Sequence, residues 1–302
     1  MMPATQIPRD RYGRPLIVPA NGGKPVAYRR CTTFIDVLED RFALEKWKQR
    51  QVAAGLAARP DLVLKAASAA GDKTVLNQVC DAAYEAAESS AAATSGTAVH
   101  AITEQIDRGF EVTIPPSIQA DIDAYRAATA ELHMAEIEVF VVDDERKVAG
   151  TFDRIVEHGG RRYVADIKTG RIDYGQGKIA MQLAVYAGAR RYNPITFARD
   201  RLHCERDWGL VIHLPVGAGE CTLWWVNLAD GRAGIDTAQR IWSWRASAHH
   251  FARQFVPLAD RIQAAGDVDA LTRLWTVHQN EWTDTHTAAA AAKKQKLLTH
   301  GG

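Results

Sequence analysis

Two apolar segments joined by a Gly-Gly pair constrain this chain more than any other feature. Residues 148–156 and 162–168 are rich in Val, Ile, Phe and Tyr and read as strands. Between them lies His158-Gly159-Gly160-Arg161, and Gly-Gly suits the positive φ angles of a tight hairpin turn. A turn centred between Gly159 and Gly160 places Asp153 opposite Asp166 and Thr151 opposite Lys168. A four-residue loop with that centre keeps the register; a three- or five-residue loop changes it.

Alternation along a strand puts Asp166 and Lys168 on one face, with Asp153 on the same face of the neighbouring strand. Facing carboxylates repel, or one of them takes up a proton. A divalent cation removes the conflict, and hard oxygen donors suit Mg²⁺ or Mn²⁺. A surface hairpin with chance alignment of charges is the simpler alternative. Against it, Phe152, Ile155, Tyr163, Val164 and Ile167 make both faces apolar, which predicts a sheet covered on both sides. Charges buried there need a partner or a metal.

The next segment reads as a helix. Gln182 and Tyr186 are four apart and share a face, which Lys178 and Arg190 extend in both directions. Such side chains hydrogen-bond or neutralise phosphate. Ile179, Leu183 and Ala187 form the opposite, sheet-facing side. An ordinary amphipathic helix has the same pattern, so the hairpin carries the functional weight.

Gly150-Thr151-x-Asp153, then Asp166-x-Lys168-Thr169-Gly170, then Gln182-x-x-x-Tyr186 resembles the PD-(D/E)xK nucleases, and within them the RecB-like exonuclease branch. Upstream, Gly96-Thr97-Ala98-Val99-His100 resembles that branch's Gly-Thr-x-x-His element. The resemblance implies an α/β restriction-endonuclease-like core, a mixed central sheet flanked by helices, with helical additions at both ends. It implies that Asp153, Asp166, His100 and the Ile167 backbone carbonyl hold one or two Mg²⁺ or Mn²⁺ ions. Lys168 would then orient or deprotonate water, or stabilise charge; both roles stay open. Gln182 and Tyr186 complete the catalytic set, and Lys178, Arg190 and Thr169 are candidate DNA contacts. Glu138, on the preceding strand, is a further candidate for the acidic cluster, with a solvated strand-edge role as its default.

The chain-wide composition narrows the field. The 302 residues are 47% hydrophobic and 24% charged, as in globular proteins, and the net charge is +1, so any DNA groove must arise from local clustering. Arginines do cluster, at Arg9, Arg11 and Arg14, at Arg29 and Arg30, and at Arg190, Arg191, Arg199 and Arg201. No secretory signal and no membrane-spanning apolar run is legible, which gives a cytoplasmic expectation. Cys31, Cys80, Cys204 and Cys221 contain no C-x-x-C pair, and their spacing argues against zinc and against the four-cysteine iron–sulfur cluster of some RecB-like nucleases.

The expected organisation is a Pro-, Gly- and Arg-rich irregular arm and helical region over residues 1–95, a nuclease core over 96–256 and a helical tail over 257–302. Helices are expected through Phe34 to Trp47, over 53–93 with a break at Arg59-Pro60, over 96–108, 118–133 and 229–255, and in the tail. A second hairpin is expected at 208–214 and 222–228. Arg11-Tyr12-Gly13-Arg14-Pro15-Leu16, Gly22-Gly23-Lys24-Pro25-Val26 and the Thr32-Thr33-Phe34 segment resemble exonucleases of bacteriophages that infect actinobacteria. That resemblance implies linear double-stranded DNA ends as substrate, a single-strand annealing protein as partner in recombination, and the host cytoplasm as location; a homo-oligomer is left open. The competing readings are an endonuclease or junction resolvase on the same core, and a catalytically silent DNA-binding module.

Overall fold

The computed structural model describes residues 7–87, 91–252 and 254–299. They fall into two compact units divided between Ser243 and Trp244.

The first unit is built on one sheet. A small antiparallel pair, β1 (Leu16–Ile17) and β2 (Val26–Ala27), precedes β3 (Arg29–Arg30). The main strands are β4 (His133–Asp143), β5 (Val148–His158), β6 (Arg161–Lys168), β7 (Arg190–Tyr192), β8 (Arg199–Arg201), β9 (Trp208–His213) and β10 (Thr222–Asn227). Their order is β10-β9-β6-β5-β4-β7-β8, with β3 alongside β5. β6 and β9 run parallel, as do β3 and β5; the other neighbours are antiparallel. The helices are α1 (Cys31–Ile35), α2 (Phe42–Ala58), α3 (Pro60–Ser68), α4 (Lys73–Ala86), α5 (Ala91–Asp107), α6 (Gln119–Thr129), α7 (Gln176–Gly188) and α8 (Leu228–Ser247), the last running across the unit boundary.

Both sheet faces are covered, as the apolar strands require. Val164 and Val211 join Phe34, Leu183, Leu228 and Ile235 in one core, which α1, α7 and α8 close. Ala165, Ile167, Leu210 and Ile212 join Val99, Ile122 and Tyr125 of α5 and α6 in another. The mixed, helix-flanked α/β sheet is therefore the expected one.

Several boundaries differ from expectation. The helix expected through Phe34 to Trp47 is broken: α1 ends at Ile35, and α2 begins at Phe42, whose N–H donates to the Asp40 carboxylate. The helix expected over 118–133 stops at Thr129, where β4 soon takes over. The helix expected over 229–255 ends at Ser247. The arm is not wholly irregular: β1, β2 and β3 lie in it, and β3 joins the main sheet. Strands β7 and β8 were not foreseen, since three-residue strands full of arginine lack an apolar signature.

The second unit holds α9 (Leu258–Ala264), α10 (Val268–Val277) and α11 (Asp284–Thr299). Leu258, Ile262, Ala265 and Leu271 form its small core, against which Leu297 packs. Trp244, at the start of this unit, is 60% exposed.

Candidate active site

The predicted hairpin register is present. Gly159 and Gly160 both have positive φ, and the pairs run from His158–Arg161 to Arg154–Ala165. There the ladder stops. Asp153 and Asp166 are the next positions along, but Asp153 turns its carboxylate to the opposing backbone, accepting from the Ile167 N–H at 2.7 Å. Thr151 does not pair with Lys168 as the arithmetic required. β6 continues in register with β9, pairing Asp166 with Val211 and Lys168 with His213, while β3 takes up β5 again at Val148 and Ala149. The stretch of β5 between these two ladders opens a cleft of about 530 Å³.

Asp153, Asp166, Ile167, Lys168, Thr169, Lys178, Gln182, Tyr186 and His100 all line this cleft. Lys168 Nζ lies 2.6 Å from Asp166 Oδ2 and donates to Gln182 Oε1 at 3.0 Å. Gln182 Nε2 donates to Asp166 Oδ1 at 3.2 Å and lies 3.4 Å from the Tyr186 hydroxyl. The amide thus grips both members of the Asp-x-Lys pair at once. His100 on α5 approaches from the other side, with Nδ1 3.7 Å from Asp153 Oδ2. Lys178 is paired with Asp36.

Two motif glycines have a steric reason. A Cβ on Gly150 would come within 3.0 Å of the Tyr186 ring and 3.2 Å of Cys31 Cβ. A Cβ on Gly96 would come within 2.7 Å of Thr169 Oγ1. These glycines let α7 and α5 close on the strands that carry the acids.

Burial dominates the electrostatics. It pushes the Asp153 carboxyl up to about 7, and the Asp166 charge pushes the same way against the Ile167 hydrogen bond. Burial also lowers His100, which favours the neutral imidazole a metal ligand must be, although Asp166 acts in the opposite direction. Burial raises the Tyr186 phenol, keeping it a neutral hydrogen-bonding group.

The donor set fits a hard, partly hydrated cation. Asp166 Oδ2 is buried and has no hydrogen bond beyond its ion pair with Lys168. Asp153 holds an ionised carboxylate only at a cost. Among the described residues, no three His, Cys, Asp or Glu side chains converge tightly enough to enclose an ion by themselves. Mg²⁺ does not need such a cage: it takes one or two carboxylates and keeps several waters.

Not every candidate reaches the cleft. Arg190 does not extend the Gln182–Tyr186 stripe, because α7 ends at Gly188 and Arg190 lies on β7. The face of α7 carrying Gln182 and Tyr186 is not solvated either: every residue from Ile179 to Ala187 is buried. α8 packs so closely on α7 that a Cβ on Gly231 would come within 2.2 Å of the Ala180 carbonyl. Glu138 stands beside the cleft, with Oε1 3.7 Å from Arg154 Nη1. Its φ of 54° is left-handed, a conformation that costs a non-glycine residue energy and clusters at functional sites. Burial and the Glu104 charge raise its carboxyl.

Sequence reasoning missed the buried support of the site. The Arg154 side chain is 1% exposed and donates from Nε to Asp107 Oδ2 at 2.6 Å and from Nη1 to the Asp153 carbonyl at 2.8 Å. The Tyr125 hydroxyl donates to the same Asp107 oxygen at 2.7 Å. This network ties the end of α5, and so His100, to the strand of Asp153. An arginine set between apolar strand residues was its one visible trace.

Residues 63–195 match the sequence model of the PD-(D/E)XK nuclease superfamily. Over that span, which is less than half of the 302 residues, the chain is similar to PD-(D/E)XK nucleases. The matched span includes the hairpin, the His100 helix and α7, and stops before β8, β9 and β10. Nucleases of this superfamily generally use divalent metal ions such as Mg²⁺. No curated protein matches the chain. Among the described residues no helix is long and apolar enough to cross a membrane.

Proposed function

We propose that this protein is a metal-dependent DNA exonuclease that hydrolyses phosphodiester bonds from linear ends. The meeting of Asp153, Asp166, Lys168 and Gln182 in one open cleft is the observation that carries the reading. Asp153 and Asp166, with His100 and the Ile167 carbonyl, would hold Mg²⁺ or Mn²⁺. The bound ion supplies charge relief at the phosphoryl oxygens and a more acidic water.

The remaining work falls to side chains. Lys168, held by Asp166 and Gln182, presents a positive donor to the charge that develops on the phosphate or to the attacking water. Water adds to phosphorus, the bond to the leaving sugar oxygen breaks, and that oxygen takes up a proton. Gln182 positions both halves of the Asp-x-Lys pair, and Tyr186 backs Gln182. Lys178 and Thr169, on the cleft wall, contact the flanking phosphates. Arg154 is a positioning residue, acting through Asp153 and Asp107.

Action at ends is supported by the resemblance of the Gly-Thr-x-x-His and Gln-x-x-x-Tyr elements to the RecB-like branch. The same resemblance supports a role in recombination or repair alongside a single-strand annealing protein. The deciding assay incubates linear, nicked and closed-circular DNA with Mg²⁺, using wild type and Lys168→Ala. Degradation of linear DNA alone, lost in the variant, is expected. Cutting of closed circles would replace the exonuclease with an endonuclease, and cleavage of no DNA would remove both.

A further inference from the structure

Arg190 on β7 and Arg201 on β8 are direct cross-strand partners. Like charges so placed destabilise a sheet unless something between them compensates. Their neighbours on the same strands are compensated: Arg191 by Glu136, and Arg199 by Asp144 at 3.0 Å. Among the described residues, neither Arg190 nor Arg201 has a carboxylate within salt-bridge distance. Asp144, whose charge Arg190 does feel, is already engaged by Arg199 and Tyr28.

The two arginines open into a pocket of about 350 Å³, which Arg206 and His203 also line. Arg206 too has no carboxylate partner among the described residues. The end of α7, Ala187 to Ala189, forms a wall, and Arg206 Nη2 would lie 3.5 Å from a Cβ on Gly188. His203 holds a φ of 49°, another left-handed non-glycine residue at a concave site. The C-terminal end of a helix offers about half a negative charge, which leaves most of three guanidinium charges unanswered.

We propose that this pocket is a phosphate-binding site, separate from the carboxylate cleft and built from Arg190, Arg201 and Arg206. Planar guanidinium forks match phosphate oxygens two at a time, so converging arginines without acids are the expected receptor. If the nuclease reading holds, the phosphate belongs to the DNA backbone away from the bond being cut. Gln182 and Gly188 lie on one helix, about 9 Å apart along its axis, so α7 runs between the two sites. Inorganic phosphate or a mononucleotide presents the same chemistry.

The test is made without divalent metal, so no cleavage occurs and its outcome does not depend on the nuclease reading. Wild type, Arg201→Gln, Arg206→Gln and the double variant are compared in two arms. One arm follows a labelled linear duplex by fluorescence anisotropy over a series of salt concentrations. The other follows the melting temperature as sodium phosphate is added, against sodium chloride at equal ionic strength. In the double variant, duplex affinity is expected to fall about tenfold and the slope of log affinity against log salt to shrink by about 1 to 2. That result assigns the site to backbone phosphate. Loss of the phosphate-induced melting shift with unchanged duplex binding assigns it to a free phosphate compound. A double variant that behaves as wild type in both arms overturns the proposal. Folding is checked in low-salt, phosphate-free buffer, where Arg201→Gln should melt at or above wild type because the charge facing Arg190 is gone, and Arg206→Gln should melt with wild type.

Discussion

On β5 and β6 two carboxylates come together; on β7 and β8 two guanidiniums do. The first pair sits in a cleft where a lysine, an amide and an imidazole surround it, and burial raises the cost of its charge. The second pair is exposed, and water bears much of its repulsion. Arg154 shows what complete burial demands of a guanidinium: it is held by Asp107 and by the Asp153 carbonyl. Burial and the supply of opposite charge thus separate a site suited to a cation, a pocket suited to an anion and a strut whose charge is answered within the chain, although its Nη2 has no hydrogen-bond partner.

The comparison can be broken most forcefully at the strut. Arg154→Leu should cost about 3–5 kcal/mol, because it leaves the buried Asp107 carboxylate with the Tyr125 hydrogen bond but no positive partner; urea unfolding measures this. A loss below about 1 kcal/mol would mean that the network does not tie α5 to the sheet.

At the carboxylates, Lys168→Ala should lower cleavage by about 10²–10³-fold or more, read by single-turnover assay on protein that thermal melting shows to be folded. Chelation of divalent metal should abolish cleavage in the wild type.

The acidic pair also has a pH signature. Asp153 is raised to about 7 in the folded protein, from an ordinary value of 3.8. The folded state therefore binds more protons than the unfolded state between those values, and metal-free stability should fall as pH rises through that window. Asp153→Asn should remove the slope and stabilise the metal-free protein at neutral pH by about 1–3 kcal/mol. Metal should bind more tightly as pH rises towards 7, with proton release measurable by calorimetry. A flat stability profile in the wild type would show that Asp153 is not held at such a cost.

A steric change comes next. Gly150→Ala drives a methyl against Tyr186 and Cys31, and should cost about 1–3 kcal/mol together with part of the activity. The smallest effect belongs to the basic pair. Arg201→Gln should raise stability by about 0.2–1 kcal/mol at low salt, and the gain should vanish as salt is added.

The hairpin was legible because a Gly-Gly turn sets a register and alternation sets a face; five observed pairs follow it. The order of motifs also exposed the two helices that meet the hairpin. Legibility failed at Thr151 and Lys168, where the ladder had stopped. It failed at Arg190 as well, because helical periodicity carries no information about where a helix ends. Arg154 was overlooked because a charged strand residue reads as surface unless its buried partner, distant in sequence, is known.

By itself the sequence determined the two hairpins and the types of side chain able to bind metal and phosphate, since these follow from local chemistry and short-range spacing. Only the tertiary structure decided where β6 leaves β5 for β9, that Gln182 reaches Asp166 and Lys168 together, and that Arg190 meets Arg201 outside the cleft. Those outcomes depend on contacts between segments far apart in the chain, where close approach and burial, rather than local spacing, set the geometry and the cost of each charge.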